Sequence, residues 1–318
     1  MITTYFTFLI GGILMKFLVV GAGAVGGYFG GRLLEKGADV TFLVREGRMR
    51  NLQEKGLVIH SDYGNATLSP KTIITGEEVE PYDVILLSTK AYHLDNAIDD
   101  VRPYVGENTM VIPLLNGMAH YNKLDEQFGK EKVIGGLCYI EATLDSEGAV
   151  IQKGPLHMLV YGERSGQESE RIIKLAVALK GTKADFQLSS TIIEDLWHKY
   201  LFIATMSGIT TLMRAPIGPI CNHLSGMETI KQLTKEIIDV MNVAGAPISN
   251  ELETIQMEKI ANLAPEMKSS MQRDMEKGLP VEADHLHGYL LEIAKTADLP
   301  VPVLEAVYAN LKIYERSR

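Results

Sequence analysis

The stretch that most constrains the fold is MKFLVVGAGAVGGYFGGRLLEKGADVTFLVR, from Met15 to Arg45. Lys16 to Val20 is short and apolar on both faces, the pattern of a strand buried in a parallel sheet. Gly21, Gly23 and Gly26 follow at once in the spacing G-x-G-x-x-G, with Ala24 and Val25 between the last two. In that spacing one glycine makes a tight turn, one lets backbone N–H groups reach a pyrophosphate, and one allows a helix to pack closely on the strand. The helix N-terminus then faces the phosphates. Gly30 lies one turn further on, and Ala38 to Val44 reads as the next strand. A glycine-rich turn that merely packs a helix would need none of these flanking strands, so the stretch predicts a dinucleotide site at Gly21, Gly23, Ala24, Val25 and Gly26.

At 318 residues the chain is longer than one typical domain, and two are expected. A net charge of −9 with no Lys/Arg block argues against nucleic acid as a partner, because neutralising phosphates takes a basic surface. Cys138 and Cys221 form no spaced cluster, so neither a disulfide framework nor a zinc site is expected, and a reducing compartment, the cytoplasm, is. Residues 1–14, MITTYFTFLIGGIL, carry no charge. They are shorter than the roughly 20 apolar residues of a membrane span and have no basic leader, so they read as an N-terminal extension and no membrane partner is expected.

Arg45 ends the second strand, about where an acidic residue would hold the ribose 2′-OH of NAD. A guanidinium there suits a 2′-phosphate instead, with Arg48 and Arg50 close behind, so NADPH is the expected cofactor. Glu46 tempers this, since it can swing back to the ribose. Leu57 to Ser61 and Ala66 to Ile74 read as a hairpin or two short strands. Tyr82 to Ser88 and Met110 to Leu115 read as further buried strands. They end in Thr89-Lys90-Ala91 and Asn116-Gly117-Met118, at the carboxyl edge where open α/β sheets bind ligands. Lys90 and Asn116 are therefore candidate functional residues. Lys132 to Tyr161 reads as antiparallel strands completing the sheet, Arg171 to Lys180 as a helix, and Ala184 to Leu188 as a last strand. Beyond Ser189 only helical periodicities remain. The expected fold is α/β: an N-terminal Rossmann-type dinucleotide-binding domain over 15–189, then an all-helical domain over 190–318.

Asp195 to Met213 is apolar almost all round after its first turn, the mark of a buried helix, yet it contains Lys199. A buried ammonium has to face a cleft, meet a carboxylate or lose its proton more easily. Ile203, Met206 and Ser207 share its face. Glu282 is expected in the first turn of a helix running to Thr296, on the stripe of Leu286, Tyr289, Leu290 and Ile293, where the dipole favours a carboxylate. His285 and His287 flank that stripe at a spacing that suits no metal pair.

The ordered blocks GAGAVGGYFGGRL, LLSTKAYH, LLNGM, LWHKYLF and SSMQRDMEKGLPVEADHLHGYL resemble the ketopantoate reductase (2-dehydropantoate 2-reductase) family over nearly the whole chain from Met15. The resemblance implies NADPH-dependent reduction of 2-dehydropantoate to pantoate, in pantothenate and coenzyme A synthesis. It implies that Lys199 is the general acid and that Glu282 holds substrate and Lys199. Asn116 and Ser270 would contact substrate, with Ser207 in the same pocket, and Lys90, Asn116 and Glu282 would lie at the cofactor. Family members carry asparagines where this chain has Ile203, Ser207 and Ile217, which leaves other 2-oxo acids or imines open as substrates. A non-catalytic redox sensor is the reading from another class, and a homodimer is left open.

Overall fold

A computed structural model describes residues 15–318. The expectations for residues 1–14 lie outside the described residues. The chain divides into two compact units, the first through Leu115 and from Tyr121 to Ile192, the second comprising Asn116–His120 and Ile193–Arg318.

The first unit opens with β1 (Lys16–Val20), α1 (Ala24–Glu35), β2 (Asp39–Leu43) and α2 (Glu46–Lys55). Then follow β3 (Leu57–Ser61), β4 (Ala66–Leu68), β5 (Lys71–Ile73), β6 (Tyr82–Leu87), α3 (Leu94–Val101) and β7 (Val105–Pro113). Five of these strands form a parallel sheet in the order β5-β2-β1-β6-β7. The neighbours of β1 are therefore β2 on one side and β6 on the other, and its carboxyl end is the place where the strand order reverses.

After α4 (Ala119–Phe128) come β8 (Gly135–Leu144), β9 (Val150–Gly162), α5 (Glu170–Leu179) and β10 (Asp185–Leu188). These strands do not complete the first sheet. They build a second one, β10-β9-β3-β4, with β8 antiparallel to β9 along most of its length. The run Ala66 to Ile74 is likewise two strands rather than one. It breaks at Ser69-Pro70, so that β4 pairs with β3 in the second sheet while β5 pairs with β2 in the first. Proline supplies no ladder donor, which makes that break local chemistry.

Two sheets are possible because α1 has two bare faces. A methyl on Gly30 would stand 2.7 Å from Val19 and 2.9 Å from the Phe42 ring, both in the first sheet. A methyl on Gly31 would stand 2.6 Å from Ile59, and one on Gly27 2.9 Å from Val150, both in the second. The glycine pairs 26–27 and 30–31 thus let one helix lie close against a sheet on either side. Arg32, fully buried on the same helix, bonds Gly64 O at 2.7 Å and Glu35 at 2.7 Å, with its guanidinium 5.0 Å from the Tyr28 ring centroid. A buried guanidinium needs that many partners.

The second unit is helical: α6 (Ile192–Met213), α7 (Ile217–Cys221), α8 (Leu224–Val243), α9 (Leu252–Ala261), α10 (Ser270–Glu276), α11 (Tyr289–Thr296) and α12 (Pro302–Ser317). Its core draws on Ile209, Ile230, Leu233, Ile237, Leu290, Leu304 and Val307, all fully buried. The long helix α6 is buried as its sequence predicts, but its inner face is unusually polar, with Thr205, Ser207, Thr210 and Thr211 buried. Two of these hydroxyls donate back to carbonyls one turn earlier, Thr210 to Met206 O at 2.7 Å and Thr211 to Ser207 O at 2.5 Å. Glu236, also buried, accepts from the backbone N–H groups of Val303 and Leu304 at 3.2 and 2.9 Å. The carboxylate thereby caps α12 and faces the positive end of its dipole.

No helix among the described residues is long and apolar enough to cross a membrane.

Candidate active site

In the first unit the glycine turn sits at the carboxyl end of β1. Gly21 has φ +89°, a conformation that only glycine adopts without strain, and its N–H donates to Leu43 O at 3.1 Å. A methyl on Gly26 would lie 2.2 Å from both Gly21 O and Ser88 Oγ, so that glycine is required by close packing. Gly23 is different: a methyl there would meet nothing within 4 Å. It is the N-cap of α1, offers no side-chain cap, and no acidic residue occupies the first turn. The first-turn N–H groups, at Ala24 and Val25, follow that open position and belong to the positive end of the helix. That combination fits a pyrophosphate and would be poorly served by a helix start built only for packing.

Two residues that the sequence did not single out for this role hold the turn. Ser88, at the end of β6, places its hydroxyl 2.9 Å from Val20 O and 3.1 Å from Gly21 O. Arg48 turns inward, its Nε donating to Ala22 O at 3.0 Å and its Nη1 to Gly148 O at 2.8 Å and Asn51 Oδ1 at 2.6 Å. Burial lowers its pKa. Arg48 is thus a brace for the turn rather than a neighbour of Arg45 on the surface, which corrects the expectation that it stands behind Arg45 for a phosphate. Arg50 remains exposed and pairs with Glu46 at 3.8 Å, and this directs Glu46 along α2. Arg45 is exposed at the N-cap of α2. It lies near enough to His93, which follows β6, to depress the imidazole pKa, a shift whose larger cause is burial. Lys90 is exposed in the loop after β6, as a strand-end residue should be.

In the second unit Lys199 is only 6% exposed, and its ammonium donates to Asn116 Oδ1 at 3.0 Å. Two candidates 83 residues apart are thereby brought into contact. The Asn116–His120 segment owes its place to close approach: Gly117 has φ +83°, and a methyl there would stand 3.0 Å from Leu286 and 3.4 Å from Tyr200. Tyr200, next to Lys199, donates its hydroxyl to Leu286 O, and burial raises its pKa well above the ordinary value. The imidazoles of His120 and His285 stack with centroids 5.4 Å apart and Nδ1···Nε2 at 3.3 Å. Tyr200, His120 and His285 are positioning residues; Tyr200 and His285 fall within the ordered sequence blocks, but nothing local marks them for this role.

Glu282 is half-buried and stands at the start of its helical run, one residue before Ala283. Residues Asp284–Gly288 form a π-turn before α11, and Glu282 O accepts from Leu286 N at 3.0 Å. The wider turn departs from the regular 3.6-residue stripe, while Glu282 stays at the N-terminal end of the run as its sequence predicts. His287 is fully buried, with Nε2 2.9 Å from Ala204 O, and its pKa is lowered to about 4 by burial. Ser207 is buried inside α6. Ser270 is exposed at the first position of α10, while its neighbour Ser269 caps that helix through Gln272 N at 3.0 Å and bonds Thr210 at 2.8 Å. Among the described residues no cluster of His, Cys, Asp and Glu could hold a metal ion.

One unit thus holds a nearly buried lysine ammonium oriented by an amide, and the other an uncapped glycine turn. Comparisons with known proteins give the family. The family profile described as ketopantoate reductase PanE/ApbA matches residues 17–166, and the profile of its C-terminal region matches residues 191–315. An uncharacterized oxidoreductase of Bacillus subtilis, YkpB, is 48% identical over 96% of this chain and 100% of its own. The 2-dehydropantoate 2-reductase of Aquifex aeolicus is 26% identical over 95% of this chain and 98% of its own. The crystal structure of 2-dehydropantoate 2-reductase from Geobacter metallireducens superposes with a TM-score of 0.84 at 25% identity, covering 94% of this chain and 99% of that one. The chain therefore belongs to the ketopantoate reductase family of NAD(P)-dependent Rossmann-type oxidoreductases.

Proposed function

We propose that this protein reduces a 2-oxo acid with NADPH in the cytoplasm, 2-dehydropantoate being the first candidate and pantoate, a precursor of pantothenate and coenzyme A, its product. The observation that carries the reading is the ammonium of Lys199, almost excluded from water and held at 3.0 Å by Asn116. The glycine turn and Arg45 are the residues that would hold the cofactor, its pyrophosphate at Gly23, Ala24 and Val25 and its 2′-phosphate at Arg45. When bound, it supplies the hydride.

The protein's own residues handle the charge that follows. A ketone carbon that accepts hydride leaves negative charge on its oxygen, and a cation in a dry site stabilises that charge far better than one in water. Lys199 then gives a proton to the same oxygen, as general acid, and the alcohol forms. Asn116 accepts one of the three ammonium hydrogens, which fixes the direction of the remaining two. Glu282 and Ser270 are assigned to the substrate, and Glu282 also to holding Lys199.

A second reading, reduction of another 2-oxo acid or of an imine, is favoured by Ile203, Ser207 and Ile217. Hydrocarbon and a short hydroxyl stand there in place of the amides expected for a hydroxylated substrate, and Ile217 is fully buried. The experiment is NADPH oxidation across a panel of 2-oxo acids and imines. Turnover confined to 2-dehydropantoate supports the first reading, turnover of a different 2-oxo acid or an imine the second, and cofactor binding with no turnover of any would replace both with a sensor.

A further inference from the structure

Lys199 is not the only cation on its side of α6. Phe202 lies three residues on, less than one turn along the same helix, and Lys259 of α9 holds its ammonium 4.0 Å from the centre of the Phe202 ring. Lys259 is exposed as a residue, and its ammonium is set over the ring face. Its pKa is lowered, first by burial and then by the charge on Lys199, so the two ammoniums feel each other. One turn back on α9, Gln256 is buried with an Nε2 that has no acceptor. This wall of the second unit is rich in donors and positive charge.

Two like charges held within electrostatic reach oppose each other, and partial desolvation sharpens the repulsion. An anion placed against both turns that opposition into attraction. A 2-oxo acid is such an anion, with its carboxylate and its keto oxygen on adjacent carbons. A ring face beneath an ammonium also limits the directions in which it can move, so that the donors opposite the ring are pre-aimed.

We propose that Lys259 is a substrate-binding residue: its ammonium, seated on Phe202 beside Lys199, takes the carboxylate of the 2-oxo acid whose keto oxygen Lys199 protonates. The inference rests on the 2-oxo acid reading and gives it a division of labour, one lysine for the acid group and one for the reacting group. It separates binding from chemistry. Lys259 contributes affinity for any substrate with a carboxylate next to the carbonyl and contributes nothing for a neutral ketone.

The test compares the unmodified enzyme with Lys259→Met, which keeps the stem on Phe202, and Lys259→Arg, which keeps the charge. With the best 2-oxo acid, Lys259→Met is expected to raise KM about 10- to 100-fold, the scale of a hydrogen bond to a charged group, with kcat and NADPH affinity nearly unchanged. Lys259→Arg should restore most of the loss. Oxamate, an unreactive 2-oxo acid analogue, should bind the protein loaded with NADP⁺, as measured by calorimetry, and should lose affinity in Lys259→Met, whereas neutral oxamide should not distinguish the two proteins. An unchanged KM and unchanged oxamate affinity in Lys259→Met would overturn the proposal while leaving the reductase reading intact, and so would a loss confined to kcat. If the unmodified protein neither reduces a 2-oxo acid nor binds oxamate, the reductase reading itself fails, and this inference falls with it.

Discussion

In the glycine turn the positioning rests first on side chains that are missing, whereas around Lys199 it rests chiefly on side chains that are present. Gly26 brings backbone against backbone, Gly21 takes a positive φ, Gly23 leaves the helix end uncovered, and Ser88 and Arg48 brace the turn through its carbonyls. Lys199 instead depends on Asn116, and the loop bearing Asn116 is held through Gly117, Tyr200 and a pair of stacked histidines. The difference teaches where each region is vulnerable. At Gly26 the turn has no room for an added atom, whereas at Gly23 the space is open; the lysine site is organised about one buried charge and does not tolerate its loss.

The largest effect should follow from crowding the turn. Gly26→Ala puts a methyl 2.2 Å from a backbone oxygen that cannot step aside, so we expect destabilisation of about 3 kcal/mol or more and loss of NADPH binding. Gly23→Ala is the sharpening control: the space is open and φ is −80°, so the protein should melt normally while cofactor affinity drops. Thermal melts and cofactor fluorescence titrations read both, and an unaffected titration in Gly23→Ala would show that the open space is not the phosphate site.

Acid should break the second region by another route. His287 is fully buried and its pKa is lowered from 6.5 to about 4 by burial, so the unfolded chain binds a proton more readily than the folded one between those values. Stability from this group is complete above about pH 6.5 and is lost as pH falls toward 4, up to about 3 kcal/mol. Denaturant melts across that range should show the slope, and His287→Gln should flatten it. A variant with the same slope as the unmodified protein would assign the acid sensitivity elsewhere.

The smallest effect concerns the cofactor's far end. Arg45→Ala removes an exposed guanidinium without touching the turn, so the preference for NADPH over NADH should narrow by about 1 to 3 kcal/mol and stability should hardly change. Equal affinity of the unmodified protein for the two cofactors would remove Arg45 from the 2′-phosphate.

The same contrast explains what could be read in the sequence. β1, the glycine turn and α1 are legible because their determinants are contiguous: an apolar run, a glycine spacing and a helix in unbroken order. The buried helix α6 is legible from its composition, and Lys199 from being the wrong residue in it. The second sheet was not legible, because antiparallel strands read alike in any sheet and the glycines that open a second face on α1 look the same as those of the nucleotide motif. Nor was the inward turn of Arg48, since its partners Ala22 and Gly148 lie 26 and 100 residues away. Asn116 and Lys199 could each be named from the sequence, but their contact spans 83 residues and no local pattern encodes it. The place of Glu282 at the start of a helical run was legible, but the π-turn at Asp284–Gly288 was not.

The most direct test of the account is the turnover of Lys199→Ala with its best 2-oxo acid, measured beside its NADPH affinity. The account predicts a fall in kcat of roughly 10² to 10⁴ with the affinity nearly unchanged, because the substitution removes the proton donor and the charge facing the developing alkoxide and leaves the glycine turn untouched. Near-normal turnover would contradict it, and would make Lys199 a buried helix residue satisfied by Asn116 and nothing more.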